Sequence, residues 1–323
     1  MAVQEMNGTT PIKPPLILLV GPTAVGKTGI AVQLAEKIRG EIVSADSRLF
    51  YRGMDIGSAK PTPEEQARVS HHLIDIADPN QIVSLAVFQR MATEAIAAVC
   101  ARGRLPLLVG GTGQYIRALT QGWSPPEVQP DEGLRSELER QAAEEGKDFL
   151  HQRLKTLDPE AADKIDPRNV RRTIRALEVI LATGRRFSEQ RGQVEPPYRM
   201  LTIGLARPRA ELYARIDARI ESMFANGLLD EVRDLLAKGY SADLPTMSAI
   251  GYRECVRVVE GKLSPAQAQI AMRRATRAFV RRQGNWFKES DPNIRWFYAG
   301  DEGIIAKIIA CIRQTIPESQ VDF

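Results

Sequence analysis

Residues 16–28 read Leu-Ile-Leu-Leu-Val-Gly-Pro-Thr-Ala-Val-Gly-Lys-Thr, and this stretch decides the fold. The apolar run 16–20 is typical of a strand buried on both faces of a parallel sheet. Residues 21–28 match the phosphate-binding pattern GxxxxGK[ST], which requires a strand before it and a helix after it. A helical pattern from Lys27 to about Arg39 supplies the second condition. The stretch therefore predicts a strand, a phosphate-binding turn and a helix.

The same strand pattern recurs further along the chain. Apolar runs at residues 41–45, 105–109 and 200–206 end beside an acid, a glycine pair and an arginine, respectively. A helix is predicted over about 85–102. Strands that alternate with helices and end in glycine predict an α/β fold with a doubly wound parallel sheet.

The chain also changes character along its length. We expect a flexible tail at 1–14, a P-loop core made of 15–121 and 198–323, and an inserted helical domain at 122–197 without obvious strands. Further elements are predicted within the second part of the core, namely helices at 209–237, 247–259, 265–288 and 302–315 and a strand at 294–298.

Composition excludes several classes of protein. The chain has 323 residues and a formal net charge of +4. Its three cysteines, Cys100, Cys255 and Cys311, are isolated, which argues against a disulfide framework and fits a reducing compartment. We find no basic-then-apolar secretory signal, and no apolar run of the roughly 18 residues that span a bilayer. A cytoplasmic protein with no membrane partner, acting as a monomer, is expected.

The small net charge hides a strong segregation of acidic and basic residues along the sequence. Residues 127–163 carry eleven acidic and five basic side chains, whereas 168–219 carry twelve arginines and five acids. Residues 261–288 hold seven basic side chains and no acid. Two blocks of +7 in a chain of +4 predict a localised surface for a polyanion.

The phosphate-binding turn predicts the first site residues. Backbone N–H groups of the turn and the N-terminus of the following helix hold phosphate oxygens, Lys27 adds a positive charge, and the Thr28 hydroxyl is placed on Mg²⁺. Asp46 and Thr112 follow other strands, and we expect them to face the same crevice. From the residues alone, Asp46 could be a metal ligand, a general base or a hydrogen-bond acceptor.

Taken together, the motifs resemble the tRNA dimethylallyltransferases, also called tRNA isopentenyltransferases. The resemblance runs from about Leu16 to Trp296. Its motifs are GPTAVGKT (21–28), SADS (44–47), YRGMDIGSAKP (51–61), LLVGGTG (107–113), AIGYRE (249–254) and TRxxxRRQxxWF (276–287). The third motif, combined with the last two, is far more specific than the first or the fourth.

The resemblance implies an activity and roles for residues. A dimethylallyl group would pass from dimethylallyl diphosphate to the exocyclic amine of the adenine 3′-adjacent to the tRNA anticodon. Asp46 would accept the proton of that amine, while Lys27, Thr28 with Mg²⁺, and Arg219 would stabilise the leaving diphosphate. The diphosphate-binding residues implied are Gly21, Pro22, Thr23, Ala24, Val25, Gly26, Lys27 and Thr28.

The resemblance also implies contacts with the anticodon stem-loop of tRNA. The matching residues are Asp46, Ser47, Arg48, Leu49, Thr112, Arg135, Arg171, Arg172, Thr173, Ile174, Arg175, Ser248, Gly251, Tyr252, Arg253, Arg281, Arg282, Gln283, Trp286 and Lys288. For Trp286, as for Phe287, we expect core packing rather than base stacking. Leu49 and Gln114 depart from the residues that are common in the family.

Other functions remain open at this point. A P-loop small-molecule kinase would also pair a glycine-rich strand end with an acid after a neighbouring strand. A prenyltransferase of free nucleotides would not need the helical insert or the basic blocks. A nucleotide-binding, RNA-associated protein would need a clear Mg²⁺-binding acid, and none follows the strand at 105–109. His71 and His72 lack a third metal ligand, which favours a structural role.

Overall fold

The computed structural model describes residues 13–126, 128–190 and 192–316, apart from the side chains of Lys147 and Gln193. The predicted tail at 1–14 lies outside the described residues except for Lys13 and Pro14. The described chain forms two compact units. The first contains the residues up to Ile116 and those from Pro197 onward, and the second is Arg117–Pro196.

The elements alternate as the strand and helix patterns require. The first part of the chain contains β1 (Pro15–Val20), α1 (Lys27–Lys37), β2 (Gly40–Ser44), α2 (Pro63–Arg68), β3 (His71–His72), α3 (Leu85–Ala101), β4 (Leu105–Gly110) and α4 (Gly113–Thr120). The second unit contains β5 (Trp123–Ser124), α5 (Glu132–Glu144), α6 (Lys147–Leu157), α7 (Pro159–Lys164), α8 (Val170–Thr183), a 3₁₀ turn (Ser188–Gln190) and β6 (Gly192–Gln193). The returning chain contains β7 (Arg199–Ala206), α9 (Arg209–Ala225), α10 (Leu228–Ala237), α11 (Tyr252–Val259), α12 (Pro265–Gln283), β8 (Ile294–Tyr298) and α13 (Ile304–Thr315).

Six strands of the first unit form one parallel sheet in the order β3-β2-β4-β1-β7-β8. Strand β1 lies centrally, with Ile17 opposite Leu107 of β4 and Leu201 of β7. Non-consecutive neighbours mean that helices cross over between the strands. The predicted parallel α/β fold is thereby confirmed.

Helices cover the sheet on both faces. Ile17 and Leu19 of β1 belong to one buried cluster with residues of α1 and α13. The alternate residues Leu16 and Leu18 are equally buried and point to the opposite face, and α3 packs against β2 and β4. Burial on both faces explains why the strand sequences are continuously apolar rather than alternating.

The structure differs from the sequence expectations in several elements. Strand β3 was not predicted, because two histidines carry no apolar run. The predicted helix 209–237 is two helices, since Gly227 has a φ of 92° and ends the first of them. Helix 247–259 starts only at Tyr252, and helix 265–288 ends at Gln283. The insert, expected without strands, contains the short antiparallel pair β5–β6.

The second unit has its own apolar core. Leu138 of α5, Leu150 and Leu154 of α6, and Leu177 of α8 are among its fully or almost fully buried residues. Beside this core, the Glu178 carboxylate is buried and accepts hydrogen bonds from two arginine side chains and one backbone N–H. A separate core means that this unit packs as a domain within itself.

Candidate active site

The phosphate-binding turn lies between the end of β1 and the start of α1. Gly26, which caps α1, has a φ of 111°, a conformation that L side chains rarely adopt. A Cβ on Gly21 would lie 2.6 Å from the Leu205 carbonyl oxygen of β7. Glycine is required at position 26 because the backbone there has a positive φ. It is required at position 21 because the backbone there lies against β7.

Three side chains from later in the sequence hold the turn. The Gln283 Oε1 accepts a hydrogen bond from the Thr23 N–H at 2.8 Å, and its Nε2 donates to the Gly111 carbonyl at 3.1 Å. Arg215 donates to the Ala24 carbonyl at 2.7 Å, and Arg207 donates to the Val25 carbonyl at 3.0 Å. The turn is thus pre-organised before any phosphate binds.

The Lys27 ammonium lies inside the turn. It donates to the carbonyls of Gly21 at 3.0 Å and Pro22 at 2.8 Å. Burial lowers its pKa to about 8, Asp46 acts to raise it, and Arg219 acts to lower it. The charges of Lys27, Asp46 and Arg219 are therefore close enough to interact electrostatically beside the turn.

Asp46 lies directly after β2 and begins a turn. Its Oδ1 accepts a hydrogen bond from the Arg48 N–H at 3.1 Å, which leaves the other carboxylate oxygen open. The Ser47 N–H faces the Thr112 hydroxyl at 3.5 Å. Asp46 and Thr112, predicted to share a crevice because they follow neighbouring strands, do lie beside each other.

Arg219 lies on α9, next to the turn. One guanidinium nitrogen is 3.5 Å from the Thr23 hydroxyl. Burial lowers its pKa, while Asp46 acts to raise it and Arg215 to lower it. Arg219 is half-buried and has no carboxylate partner among the described residues, so it adds positive charge to the space around the turn.

The residues present fit a magnesium ion held mainly by its substrate. In the described ranges, no three His, Cys, Asp or Glu side chains are close enough to hold a metal by themselves. The Thr28 hydroxyl, in the first turn of α1, has no hydrogen-bond partner among the described residues. Mg²⁺ is commonly bound through one or two protein oxygens together with phosphate oxygens, and Thr28 can supply such an oxygen.

An aromatic cluster packs around Phe50, four residues after Asp46. The ring of Phe50 stacks with those of Phe88 and Tyr115 at 5.9 Å, and the latter two rings are 4.4 Å apart. Burial raises the pKa of the Tyr115 hydroxyl to about 12, and this group donates to the Val83 carbonyl. The cluster fixes the chain that follows Asp46.

Several residues predicted to contact RNA have buried side chains. Tyr252 is fully buried, and Thr173, Ile174 and Gln283 are almost so. Trp286 packs directly against Gly113, where a Cβ would clash with the indole ring. All five side chains pack against protein. The four buried ones could therefore affect a bound RNA only indirectly. For Trp286, the contact with Gly113 agrees with the core packing expected from the sequence.

Other residues predicted to contact RNA are half-buried or exposed, except for Gly251, which is buried. Arg48, Leu49 and Ser47 are half-buried beside Asp46, and Ser248 is exposed. Gly251 has a φ of 100° and caps α11, where Glu254 accepts its N–H. In the second unit, Arg171 and Arg172 are exposed at the start of α8. The remaining three arginines form ion pairs, namely Arg253 with Glu254 and Arg135 and Arg175 with Glu178.

The basic block 261–288 is partly neutralised. Arg273 pairs with Glu221 at 2.9 Å, and Arg277 pairs with Asp217 at 2.6 Å, so both bind α12 to α9. Lys262 pairs with Glu260. The exposed cations of this block that form no ion pair with any described residue are Arg274, Arg281, Arg282 and Lys288.

A cavity of about 390 Å³ opens beside the turn. Gly21 and Pro22 line one side, and the ends of β7, α9 and α12 contribute Arg207, Tyr213 and Phe287. Lys27 and Asp46 do not line it. The cavity therefore lies next to the turn rather than at the group of charges described above.

Sequence reasoning missed three of these contacts. In the sequence, Arg207 is only one charge of a basic block, although it directly follows β7, and Arg215 begins the R-I-x-x-R motif 215–219, of which only Arg219 is assigned to diphosphate. Gln283 was assigned to RNA on motif position alone. Its burial and its two contacts with the glycine-rich turns could not be read from the sequence, because they join residues 260 and 172 positions apart.

These features define a class of protein, an α/β protein with a P-loop sequence at the end of β1 and with exposed basic side chains. Comparisons with known proteins identify the family. The sequence model described as IPP transferase matches residues 49–290. The chain belongs to this family, that of the tRNA dimethylallyltransferases, and the relatives support that function over the kinase or nucleotide-binding alternatives.

Individual relatives cover most of the chain. The tRNA dimethylallyltransferase of Roseiflexus sp. (strain RS-1) is 54% identical over 302 residues, 94% of this chain and 99% of the relative. A solved tRNA isopentenylpyrophosphate transferase from Bacillus halodurans is 40% identical with a TM-score of 0.70, covering 95% of this chain and 98% of its own. A eukaryotic dimethylallyltransferase acting on tRNA is 25% identical with a TM-score of 0.77, covering 96% and 81%.

None of the helices in ranges 13–126, 128–190 and 192–316 has the length and apolar character needed to cross a bilayer.

Proposed function

We propose that this chain transfers the dimethylallyl group of dimethylallyl diphosphate to the exocyclic amine of the adenine 3′-adjacent to the tRNA anticodon, releasing diphosphate. The observation that supports the proposal is the geometry at the phosphate-binding turn, where Lys27 donates to the Gly21 and Pro22 carbonyls and the Arg219 guanidinium lies 3.5 Å from the Thr23 hydroxyl. Asp46 follows β2 of the same sheet, which supports a proton acceptor near a phosphorylated leaving group, and relatives of this chain are named tRNA dimethylallyltransferases.

Asp46 is assigned as the proton acceptor. An adenine amine is a weak nucleophile because its lone pair is delocalised into the ring, so proton removal must accompany bond formation. In the transfer, the bond between the amine nitrogen and the allylic carbon forms, the bond from that carbon to the diphosphate oxygen breaks, and one proton passes to Asp46. The carboxylate oxygen left open by Arg48 is the one available for this proton.

Lys27 and Arg219 are assigned to the leaving group. Negative charge accumulates on the diphosphate as the carbon–oxygen bond breaks, and fixed positive groups stabilise that state. The backbone N–H groups of residues 21–28 and the N-terminus of α1 contribute in the same way. Because Gln283, Arg207 and Arg215 already hold the turn, little reorganisation accompanies the reaction.

Magnesium would be held by the Thr28 hydroxyl and by the diphosphate oxygens, and it would neutralise part of the leaving group's charge.

We further propose that residues 122–197 form a tRNA-binding domain and that the core supplies the second RNA surface. Exposed Arg171 and Arg172 belong to the first, and Arg281, Arg282 and Lys288 to the second. The target adenine would leave its stack to reach Asp46. A tRNA substrate puts the reaction in the cytoplasm, and we expect the chain to act as a monomer.

The decisive experiment incubates the protein with labelled dimethylallyl diphosphate and unmodified tRNA and then locates the labelled nucleotide. We expect label on the adenine next to the anticodon, at a rate that Asp46→Asn lowers by about 10²–10⁴-fold while tRNA binding is kept. Hydrolysis of ATP without transfer from dimethylallyl diphosphate would refute the proposal. Unchanged turnover in Asp46→Asn would remove Asp46 as the base.

A further inference from the structure

The segment Asp55–Gly57, within the motif 51–61, is held by a single carboxylate from α10. Glu231 Oε2 accepts the N–H groups of Asp55 at 2.9 Å and Ile56 at 2.7 Å. Glu231 Oε1 accepts the N–H of Gly57 at 3.2 Å. Three successive backbone donors converge on one ionised acceptor, which is a strong arrangement because hydrogen bonds to charged groups exceed neutral ones.

The same carboxylate binds a second segment of the chain. The Tyr252 hydroxyl donates to Glu231 Oε1 at 2.7 Å, and this tyrosine is fully buried. A Cβ on Gly57 would lie 2.5 Å from the tyrosine ring, so only glycine allows the ring to approach this closely. Glu231 therefore joins the motif 51–61 to the motif 249–254.

The other end of the first motif is closed by a buried lysine. The Lys60 side chain is 4% exposed, and its ammonium donates to the Tyr51 carbonyl at 3.0 Å and to Asp75 at 2.5 Å. The Asp75 N–H in turn donates to the Leu49 carbonyl at 3.1 Å. Residues 51–60 thus form a closed loop whose start is bonded to the chain that follows Asp46.

We propose that Glu231 is a positioning residue for tRNA use. By holding Asp55–Gly57 and Tyr252 together, it fixes the distance between the segment that follows Asp46 and the segment 248–253. The inference rests on the proposed function and on the tRNA contacts that the family resemblance implies for residues 46–49, Ser248 and Arg253. Glu231 itself does not touch the phosphate-binding turn, so it acts on the RNA side of the reaction alone.

The chemistry requires a carboxylate at this position. Glutamine has the same shape, but its amide has one acceptor oxygen, and its NH₂ group would face either the backbone N–H groups or the Tyr252 hydroxyl. At least one N–H group would lose its acceptor, and the two segments would separate locally. Tyr252→Phe removes one hydrogen bond and keeps the ring packed on Gly57, so it should perturb the connection least.

The test separates use of the two substrates. We expect Glu231→Gln to raise the KM for tRNA roughly tenfold and Glu231→Ala roughly a hundredfold while kcat stays within about twofold of wild type, with Tyr252→Phe raising the KM for tRNA about threefold. The KM for dimethylallyl diphosphate and the calorimetric Kd for inorganic diphosphate should stay within about twofold of wild type, because the turn is held by other residues. Asp234→Asn is the matched control, since this exposed carboxylate on α10 has no side-chain partner in the described chain.

A merely structural role gives a different result. Loss of folded enzyme would lower the apparent kcat of the reaction and would leave the KM for tRNA, like that for dimethylallyl diphosphate, at the wild-type value, and that outcome overturns the proposal. Wild-type values for tRNA in Glu231→Gln would also overturn it. If wild-type protein itself transfers no dimethylallyl group, the proposed function fails instead, so the two failures are distinguishable.

Discussion

At the scale of single residues, Lys27 shows how burial prepares a group for its ligand. Its pKa is lowered to about 8, chiefly by desolvation, so the free protein begins to lose this charge just above neutral pH. The charged form predominates below pH 8 and is the form that attracts diphosphate. A bound diphosphate favours the ammonium and therefore raises the pKa again.

Because the charged form of Lys27 attracts diphosphate, the affinity for this ligand should depend on pH. Affinity for inorganic diphosphate should fall as pH rises through about 8, and at pH 8.5 binding should be accompanied by proton uptake. Titration calorimetry in buffers of different ionisation enthalpy measures both. Lys27→Met is the control, because it retains the ligand's own titration and lacks the side chain's. Equal proton uptake in wild type and variant would show that Lys27 does not titrate in this range.

At the scale of elements, α12 combines two roles. Its exposed cations lie at Arg274, Arg281 and Arg282, and its last residue, Gln283, is buried against both glycine-rich turns. A helix that ends on the phosphate-binding turn connects the proposed RNA surface to the proposed diphosphate site. The two roles can be separated by mutation because they belong to different side chains.

Gln283→Ala should weaken binding of inorganic diphosphate about tenfold and lower the free energy of unfolding by about 1–3 kcal/mol. The Thr23 N–H and the Gly111 carbonyl would lose their partner inside the protein. Calorimetry and thermal unfolding measure the two effects. The salt dependence of tRNA binding should not change.

Gln269→Ala is the control on the same helix, since within the described residues its side chain has one hydrogen bond, accepted from Arg273. If Gln283→Ala changed RNA binding and left diphosphate binding intact, the direct RNA contact implied by the family resemblance would be correct after all.

Local pattern predicted the elements that local physics determines. The strand, turn and helix at 16–28 were recoverable because buried parallel strands are apolar throughout and a P-loop needs glycine at fixed positions. Strand β3 was not, because its two histidines are ordered by pairing with Ile42 and Val43 rather than by their own character. Asp46 and Thr112 were predicted together from strand ends. Glu231 was not, since its three backbone partners, Asp55–Gly57, lie more than 170 positions away.

At the scale of the whole molecule, charge distribution matters more than net charge. The chain carries only +4, and α9 neutralises part of the basic block, with Asp217 and Glu221 pairing to Arg277 and Arg273. What remains are separate groups of open arginines, one at Arg171–Arg172 in the second unit and one at Arg281–Arg282 in the first. Each group could bind phosphates independently, or one RNA could contact both.

Salt dependence of tRNA binding distinguishes these cases. The log Kd against log salt slope should shrink by roughly two charges' worth in Arg281→Ala with Arg282→Ala, and by as much in Arg171→Ala with Arg172→Ala. In the fourfold variant the two losses should add if one tRNA contacts both units.

Arg273→Ala with Arg277→Ala is the contrasting pair: it should lower the melting temperature with little change in slope, because these arginines already pair with α9. A slope that falls no further in the fourfold variant than in either double variant would mean that one RNA does not bridge the two groups.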